Sequence, residues 1–171
     1  MNRPTLTYVD NTILTALFSA GPVGETVRHW LGHCADAWVS SEIALTRTLQ
    51  KLETLGVIPA APLDSHEALL AVLRTLNASI AIRPLPWRAL TAQPFHTTRP
   101  MGWSNRPTPT LTAADLIELA AARLWRCPCL ISNNPDLRQA AQAWGLVSLG
   151  IGAPPAPPAM GDWRGRSPTT P

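Results

Sequence analysis

At 171 residues the chain has room for one globular domain, large enough to bury a core without disulfides or a structural metal. Charged residues make up 15% and apolar ones 46%, with a net charge of +3. That balance excludes a charge-rich disordered chain and a strongly electrostatic nucleic-acid packager, and no apolar run reaches the ~18 residues of a membrane span.

Residues 6–9, Leu-Thr-Tyr-Val, form a short β-prone run that ends at Asp10. A helical pattern follows with Ile13, Leu14, Leu17 and Phe18 on one face, stopping at Gly21-Pro22. Residues 25–34 read as a second helix and 37–40 as a short strand. Ser40 or Ser41 caps a long helix over 42–55, with Leu45, Leu49 and Leu52 towards the core and Gly56 as the stop. Asp64 or Ser65 caps a further helix through Leu76, and 78–82 reads as a strand. Residues 83–109 are Pro-rich and irregular, with one short helix near 87–92. Thr112 and Asp115 have the spacing of a capping box at the start of a helix to Arg126. Residues 129–132 read as a strand, Asn134-Pro135 opens a helix that Gly145 closes, and 146–149 is a last strand.

Strands alternating with helices predict an α/β domain over residues 1–150 with a mainly parallel sheet. From Ile151 onward the chain holds six prolines and little to bury, which predicts a disordered, Pro-rich tail over 151–171. MNRPTLTYVD contains no hydrophobic signal core, and the expected compartment is the cytosol.

The three cysteines, Cys34, Cys127 and Cys129, are an odd number and read as buried or half-buried thiols. Cys127-Pro-Cys129 lacks the usual zinc-knuckle spacing, and His33-Cys34 is a weak candidate to complete such a site. Residues 68–114 carry Arg74, Arg83, Arg88, Arg99 and Arg106 without one acid, interleaved with Trp87, Phe95, His96 and Trp103. Cations beside rings suit a single-stranded nucleic acid; a solvated edge with tryptophans packed inward is the equal alternative. Trp30, Trp38 and Trp125 are expected in the core.

In an open α/β sheet, ligands bind outside the carboxyl ends of the strands. Asp10, Asn11 and Thr12 follow the first strand there; Ser132, Asn133, Asn134 and Asp136 follow the fourth. Asp115 starts the helix that leads into the fourth strand. Carboxylates that converge repel one another unless a cation joins them, and Mg²⁺ takes hard oxygen ligands. Each residue also has a plain structural reading, since Asp10, Asp115 and Asn134 are all placed to cap helices.

Residues 8–14 (YVDNTIL) resemble the opening strand and Asp-x-Ser/Thr motif of PIN domains, the VapC-type toxin ribonucleases in particular. Residues 39–49 (VSSEIALTRTL), 113–122 (AADLIELAAA) and 130–137 (LISNNPDL), with Ala140-Ala141 and Trp144-Gly145-Leu146, resemble the other three motifs in family order. The resemblance implies a PIN-like three-layer α/β/α domain that binds Mg²⁺ or Mn²⁺ and hydrolyses RNA phosphodiesters. It implies Asp10 and Asp115 as catalytic and metal-ligating acids, with Asp136 at the place of a further acid. A cognate antitoxin that pushes a basic residue into the acidic site, and a homodimer, are the partners it implies.

Two positions depart from the pattern. Arg47 stands where the family has Glu, and Asn134 where it has Asp. A guanidinium near Asp10 and Asp115 would neutralise both and do the work of a metal; Glu42, if turned inward, would be a substitute ligand. Two readings therefore stand: a metal-dependent endoribonuclease weakened by Arg47 and Asn134, and a catalytically inactive PIN-fold module that binds RNA or protein. Arg47 bridging Asp10 and Asp115 would favour the second. Three converging carboxylates, with Glu42, Asp136 or Glu118 as the third and Arg47 turned away, would favour the first.

Overall fold

The computed structural model describes residues 6–33, 37–57, 74, 80–88 and 110–152. In chain order these form β1 (Leu6–Val9), α1 (Asn11–Leu17), α2 (Pro22–His33), β2 (Ala37–Ser41), α3 (Glu42–Thr54), β3 (Ile80–Arg83), α4 (Ala113–Leu124), β4 (Cys129–Ile131), α5 (Pro135–Ala143) and β5 (Val147–Leu149). The five strands make one sheet in the order β3-β2-β1-β4-β5, and every neighbouring pair is parallel. This is the expected three-layer α/β/α architecture, and the period of two along each strand divides its core into two halves. Tyr8, Val39 and Leu130 face α4 and α5, together with Leu119, Leu137 and Ala141. Val9, Trp38, Ile80 and Ile131 face the opposite way, against Ile13 and Leu14 of α1, Val27 and Leu31 of α2 and Leu52 of α3.

Local signals set most boundaries. Ser41 caps α3 by accepting from Ala44 N at 3.1 Å and also bonds the buried Tyr8 hydroxyl at 2.8 Å, tying a helix start to the central strand. Thr112 and Asp115 form the reciprocal capping box of α4, and Asn134 caps α5 ahead of Pro135. Gly145 closes α5 with φ 80°, a left-handed conformation that glycine adopts without steric cost.

Several expectations need correction. α2 begins at Pro22 instead of Glu25, because proline lacks only an N–H that the first turn leaves unpaired anyway. The fully buried stripe of α3 is Ala44, Thr48 and Leu52, spaced by four, while Leu45 and Leu49 flank it partly buried. Ile151 belongs to the core, at 5% exposure, instead of opening the tail. Its N–H donates to Asn133 Oδ1 at 3.0 Å. Trp38 is buried, Trp30 packs on it with ring centroids 4.8 Å apart, and Trp125 lies partly buried 6.0 Å from Tyr8. Of the helix expected over 65–76 only Arg74 is described, and residues 89–109, Cys34 and the tail from 153 lie outside the described residues. No described helix is long and apolar enough to cross a membrane.

The turn from α1 into α2 has no room for a side chain at Gly24. A Cβ there would meet the carbonyl oxygens of Ser19 and Ala16, the latter at 2.8 Å, while Arg28 Nη1 caps the same turn by donating to Leu17 O at 2.7 Å. Gly24→Ala is therefore expected to destabilise the fold by about 1–3 kcal/mol, the usual range for overpacking. A urea midpoint that shifts down measures it; an unchanged midpoint would show that the turn relaxes freely.

Candidate acidic site at the sheet switch point

β2 and β3 extend the sheet to one side of β1, while β4 and β5 extend it to the other, so the order of connection reverses between β1 and β4. Beyond the carboxyl ends of these two strands, Asp10 and Ser132 meet. Asp10 is wholly buried and caps α1: its Oδ1 accepts from Thr12 N (3.0 Å), Thr12 Oγ1 (2.7 Å) and Ile13 N (3.1 Å), and its Oδ2 accepts from Ser132 Oγ (2.6 Å). Thr12 Oγ1 also accepts from Asn133 N at 2.8 Å, which joins the loop after β1 to the loop after β4. Desolvation nevertheless raises the Asp10 carboxyl to about 6, because burial outweighs the hydrogen bonds that favour its charged form.

Arg47 reaches the site from the second turn of α3. Its Nη1 donates to Asp115 Oδ1 at 2.7 Å and to Glu118 Oε1 at 2.9 Å. Asp115 and Glu118 are three apart on α4 and so project from one face. Asp115 Oδ2 accepts from Thr112 N and Oγ1, and Glu118 Oε2 from Asn11 N at 3.4 Å. The Arg47 guanidinium and the Thr112 bonds hold the Asp115 carboxyl below its ordinary range despite desolvation. Glu118 is buried more deeply. Desolvation, then the nearby Asp10 charge, push it up to about 8 against the pull of Arg47.

Arg47 thus bridges Asp115 and Glu118, which is neither the bridge from Asp10 to Asp115 nor the turned-away arginine that would have separated the two readings. Asp10 has both oxygens occupied by the cap and by Ser132, so it offers Arg47 nothing unsatisfied. Glu42 does not turn inward; its Oε1 accepts from Leu85 N at 3.2 Å. Asp136 Oδ2 accepts from Thr110 N at 3.2 Å, and Asn134 spends its side-chain oxygen capping α5. Neither Glu42 nor Asp136 shares a hydrogen-bond donor with Asp10, Asp115 or Glu118 among the described residues. Ser132, which fixes Asp10, had been placed only by its position after a strand, and its small hydroxyl carries no sequence signal of that role.

Asp10, Asp115 and Glu118 are the hard oxygen donors a divalent cation takes. Their oxygens are already engaged, however, and a permanent cation stands between two of them. Among the described residues no three carboxylate, imidazole or thiolate side chains are placed to share an ion. The site as folded fits Arg47 and does not fit a divalent metal.

A groove opens beside Arg47, between α1 and α3, with a volume of about 450 Å³. Asn11, Thr12 and Thr15 line it from α1; Arg47, Gln50, Lys51 and Thr54 line it from α3. Of the Arg-rich segment, Arg74, Arg83, Trp87 and Arg88 are described and exposed, with the Arg83 guanidinium 5.9 Å from the centre of the Trp125 ring. Arg99, Arg106 and the aromatics between 95 and 103 lie outside the described residues.

The sequence matches no protein-family model and none of the curated proteins. The structure is similar to that of VapC20 of Mycobacterium tuberculosis, a toxin that cleaves the sarcin-ricin loop. That match has a TM-score of 0.53 and 17% identity over 78% of this chain and 94% of the other. It is also similar to a chain of VapBC2 of Rickettsia felis, solved bound to a DNA fragment from its promoter. There the TM-score is 0.55 and the identity 11%, over 85% of this chain and 98% of the other.

Proposed function

From a chain that has the PIN-domain fold of VapC-type toxins, we propose an RNA-directed protein of that kind whose hydrolytic centre is closed by its own Arg47. The observation that carries this reading is the pair of contacts from Arg47 Nη1 to Asp115 at 2.7 Å and Glu118 at 2.9 Å. A guanidinium donates to two carboxyl groups in a fixed geometry, ionised or not, and keeps its own charge at every working pH. It cannot, however, polarise a phosphoryl oxygen as an open metal coordination site does, nor deliver an activated water. Mg²⁺- or Mn²⁺-dependent hydrolysis therefore has no place in this arrangement. The remaining residues hold an inert frame, in which Thr12 and Ser132 lock Asp10 and Thr112 locks Asp115.

The partners follow from the toxin-like fold: RNA, a cognate antitoxin and a second copy of the chain, in the cytosol. An antitoxin that normally fills such an acidic site with a basic residue would find the position already taken by Arg47.

A second reading, a residual metal-dependent endoribonuclease, is favoured by one observation. The Arg47 side chain is 26% exposed, so its withdrawal would leave Asp115 and Glu118 beside Asp10 without a counter-charge. The two readings separate in a cleavage assay on a mixed RNA pool with Mn²⁺ present. The closed-site reading expects no cleavage above the Asp10→Asn variant. Cleavage that Asp10→Asn abolishes would establish the enzyme.

A further inference from the structure

α2 carries a side-chain pair that the acidic site does not use. His29 and His33 are both exposed and stand four residues apart, about one turn, so their rings project from one face of the helix. The rings stack with centroids 4.0 Å apart and planes inclined by 32°. Imidazole nitrogens that bind one ion at about 2.1 Å lie roughly 3–3.5 Å from each other, which rings at this separation reach by small side-chain rotations.

Two further features suit a ligand pair. His33 Nδ1 lies 2.7 Å from the carbonyl oxygen of His29. A carbonyl oxygen only accepts, so Nδ1 carries the proton and the lone pair of the neutral ring falls on Nε2. Ligating histidines are held in this way, one nitrogen donating to a carbonyl or carboxylate while the other meets the metal. Gly32 lies on the same face beside the pair, exposed and with open space where a Cβ would stand. An ion bound there keeps room for water.

The electrostatic setting favours a cation. His33 is the last residue of α2, where the helix dipole presents its negative end, and Glu25 lies one turn before His29 on the same face. The neighbouring Arg28 spends its charge elsewhere: its Nη1 donates to the carbonyl oxygens of Leu17 and Ser19 at 2.7 and 3.2 Å.

We propose that His29 and His33 chelate a divalent transition-metal ion of the Ni²⁺, Cu²⁺ and Zn²⁺ class, with solvent in the remaining coordination positions. Imidazole suits these ions, whereas Mg²⁺ takes oxygen donors. The site binds without hydrolysing. In the zinc-protease motif of two histidines at this spacing a glutamate base follows the first, and here Trp30 does. The inference is independent of the closed-site reading, because α2 contributes no residue to the acidic cluster. Mn²⁺ stands lowest in the affinity order of these ions, so the pair adds little heat to a Mn²⁺ titration.

The test is a calorimetric titration of the full chain, free of any added histidine tag, with Ni²⁺, Cu²⁺ and Mg²⁺ in turn. Ni²⁺ is expected to bind in the micromolar range, Cu²⁺ more tightly and Mg²⁺ not at all. His29→Ala and His33→Ala are each expected to weaken Ni²⁺ binding at least about tenfold, a loss that even the outer contacts of a ligand can cause. Both positions are exposed and alanine suits a helix, so these variants keep the fold. Ni²⁺ should also raise the melting temperature of the natural chain and leave that of His29→Ala unmoved. Asp10→Asn and Cys34→Ser should bind Ni²⁺ as the natural chain does, which separates the pair from the acidic cluster and from a thiolate. Absence of Ni²⁺ binding in the natural chain overturns the proposal. So does binding that survives His29→Ala, which Asp10→Asn or Cys34→Ser would then trace to another site.

Discussion

Arg47→Glu is expected to turn a chain indifferent to Mn²⁺ into one that binds it in the micromolar range. The substitution removes the cation that now joins Asp115 and Glu118 at 2.7 and 2.9 Å and puts a further carboxylate in its place. Without metal, the acids of α3 and α4 would face one another unpaired in a buried site. Breaking a buried ion pair from one side costs about 3–5 kcal/mol, and the exposure of Arg47 places this case at or below the lower end. Metal binding then restores stability by mass action, about 2.7 kcal/mol at a hundredfold excess over Kd. The signature is a fall in melting temperature for the metal-free variant and a rise when Mn²⁺ is added, with no Mn²⁺ response in the natural chain. Adding Asp10→Asn to Arg47→Glu should erase the gain. A variant that folds yet ignores Mn²⁺ would mean that the acids are held too far apart by their own hydrogen bonds.

The second large effect is on pH dependence. In the fold, the Glu118 carboxyl is pushed up from 4.5 to about 8 and that of Asp10 from 3.8 to about 6, in both cases chiefly by burial. A raised carboxyl means that the native state holds its proton longer than the unfolded chain does. Its contribution is fully present below the unfolded value and is lost as pH rises through the folded one. Stability should therefore fall between pH 4.5 and 8, by about 1.4 kcal/mol per unit of pH for each group that is protonated only in the native state. Asp115 works in the opposite sense. Its carboxyl is held low by Arg47 and Thr112, so its contribution is present above 3.8 and lost only in stronger acid. Urea midpoints measured from pH 4.5 to 8 should decline, and Glu118→Gln should flatten the decline above pH 6. Its amide oxygen still accepts from Arg47 while nothing titrates. A midpoint that stays flat over that window would show Glu118 to be ionised throughout.

The sheet, its order of elements and four of the helix starts were legible because short-range chemistry decides them. Ser41, Thr112 and Asn134 are capping residues in a capping context, and alternation in β1 sends Tyr8 and Val9 to opposite faces. The start of α2 was missed because Gly21-Pro22 reads equally as a stop and as a first turn. Ile151 was missed because its burial depends on Asn133 and on the cluster around Val9 and Ile131, which no local pattern reveals.

The site divides in the same way. Asp10 and Asp115 follow from strand ends and capping positions, whereas the arrival of Arg47 beside the acids was implied only by the resemblance of residues 39–49 to the second PIN motif. Its partner Glu118 was legible only as one of three candidates for a third acid. Its spacing from Asp115 puts it on the right face, but apolar neighbours such as Leu119 and Ala120 do not announce a buried carboxylate. Glu42 misled for a related reason: one helical position decides whether a side chain meets α4 or the backbone at Leu85.

The central claim is that Arg47 occupies the place of the cation. The most direct measurement is a calorimetric titration of the natural chain with Mn²⁺ at neutral pH, run beside Asp10→Asn. The closed site predicts no binding heat from either protein. Micromolar binding by the natural chain that disappears in Asp10→Asn would contradict it, and would return the chain to the metal-dependent ribonucleases.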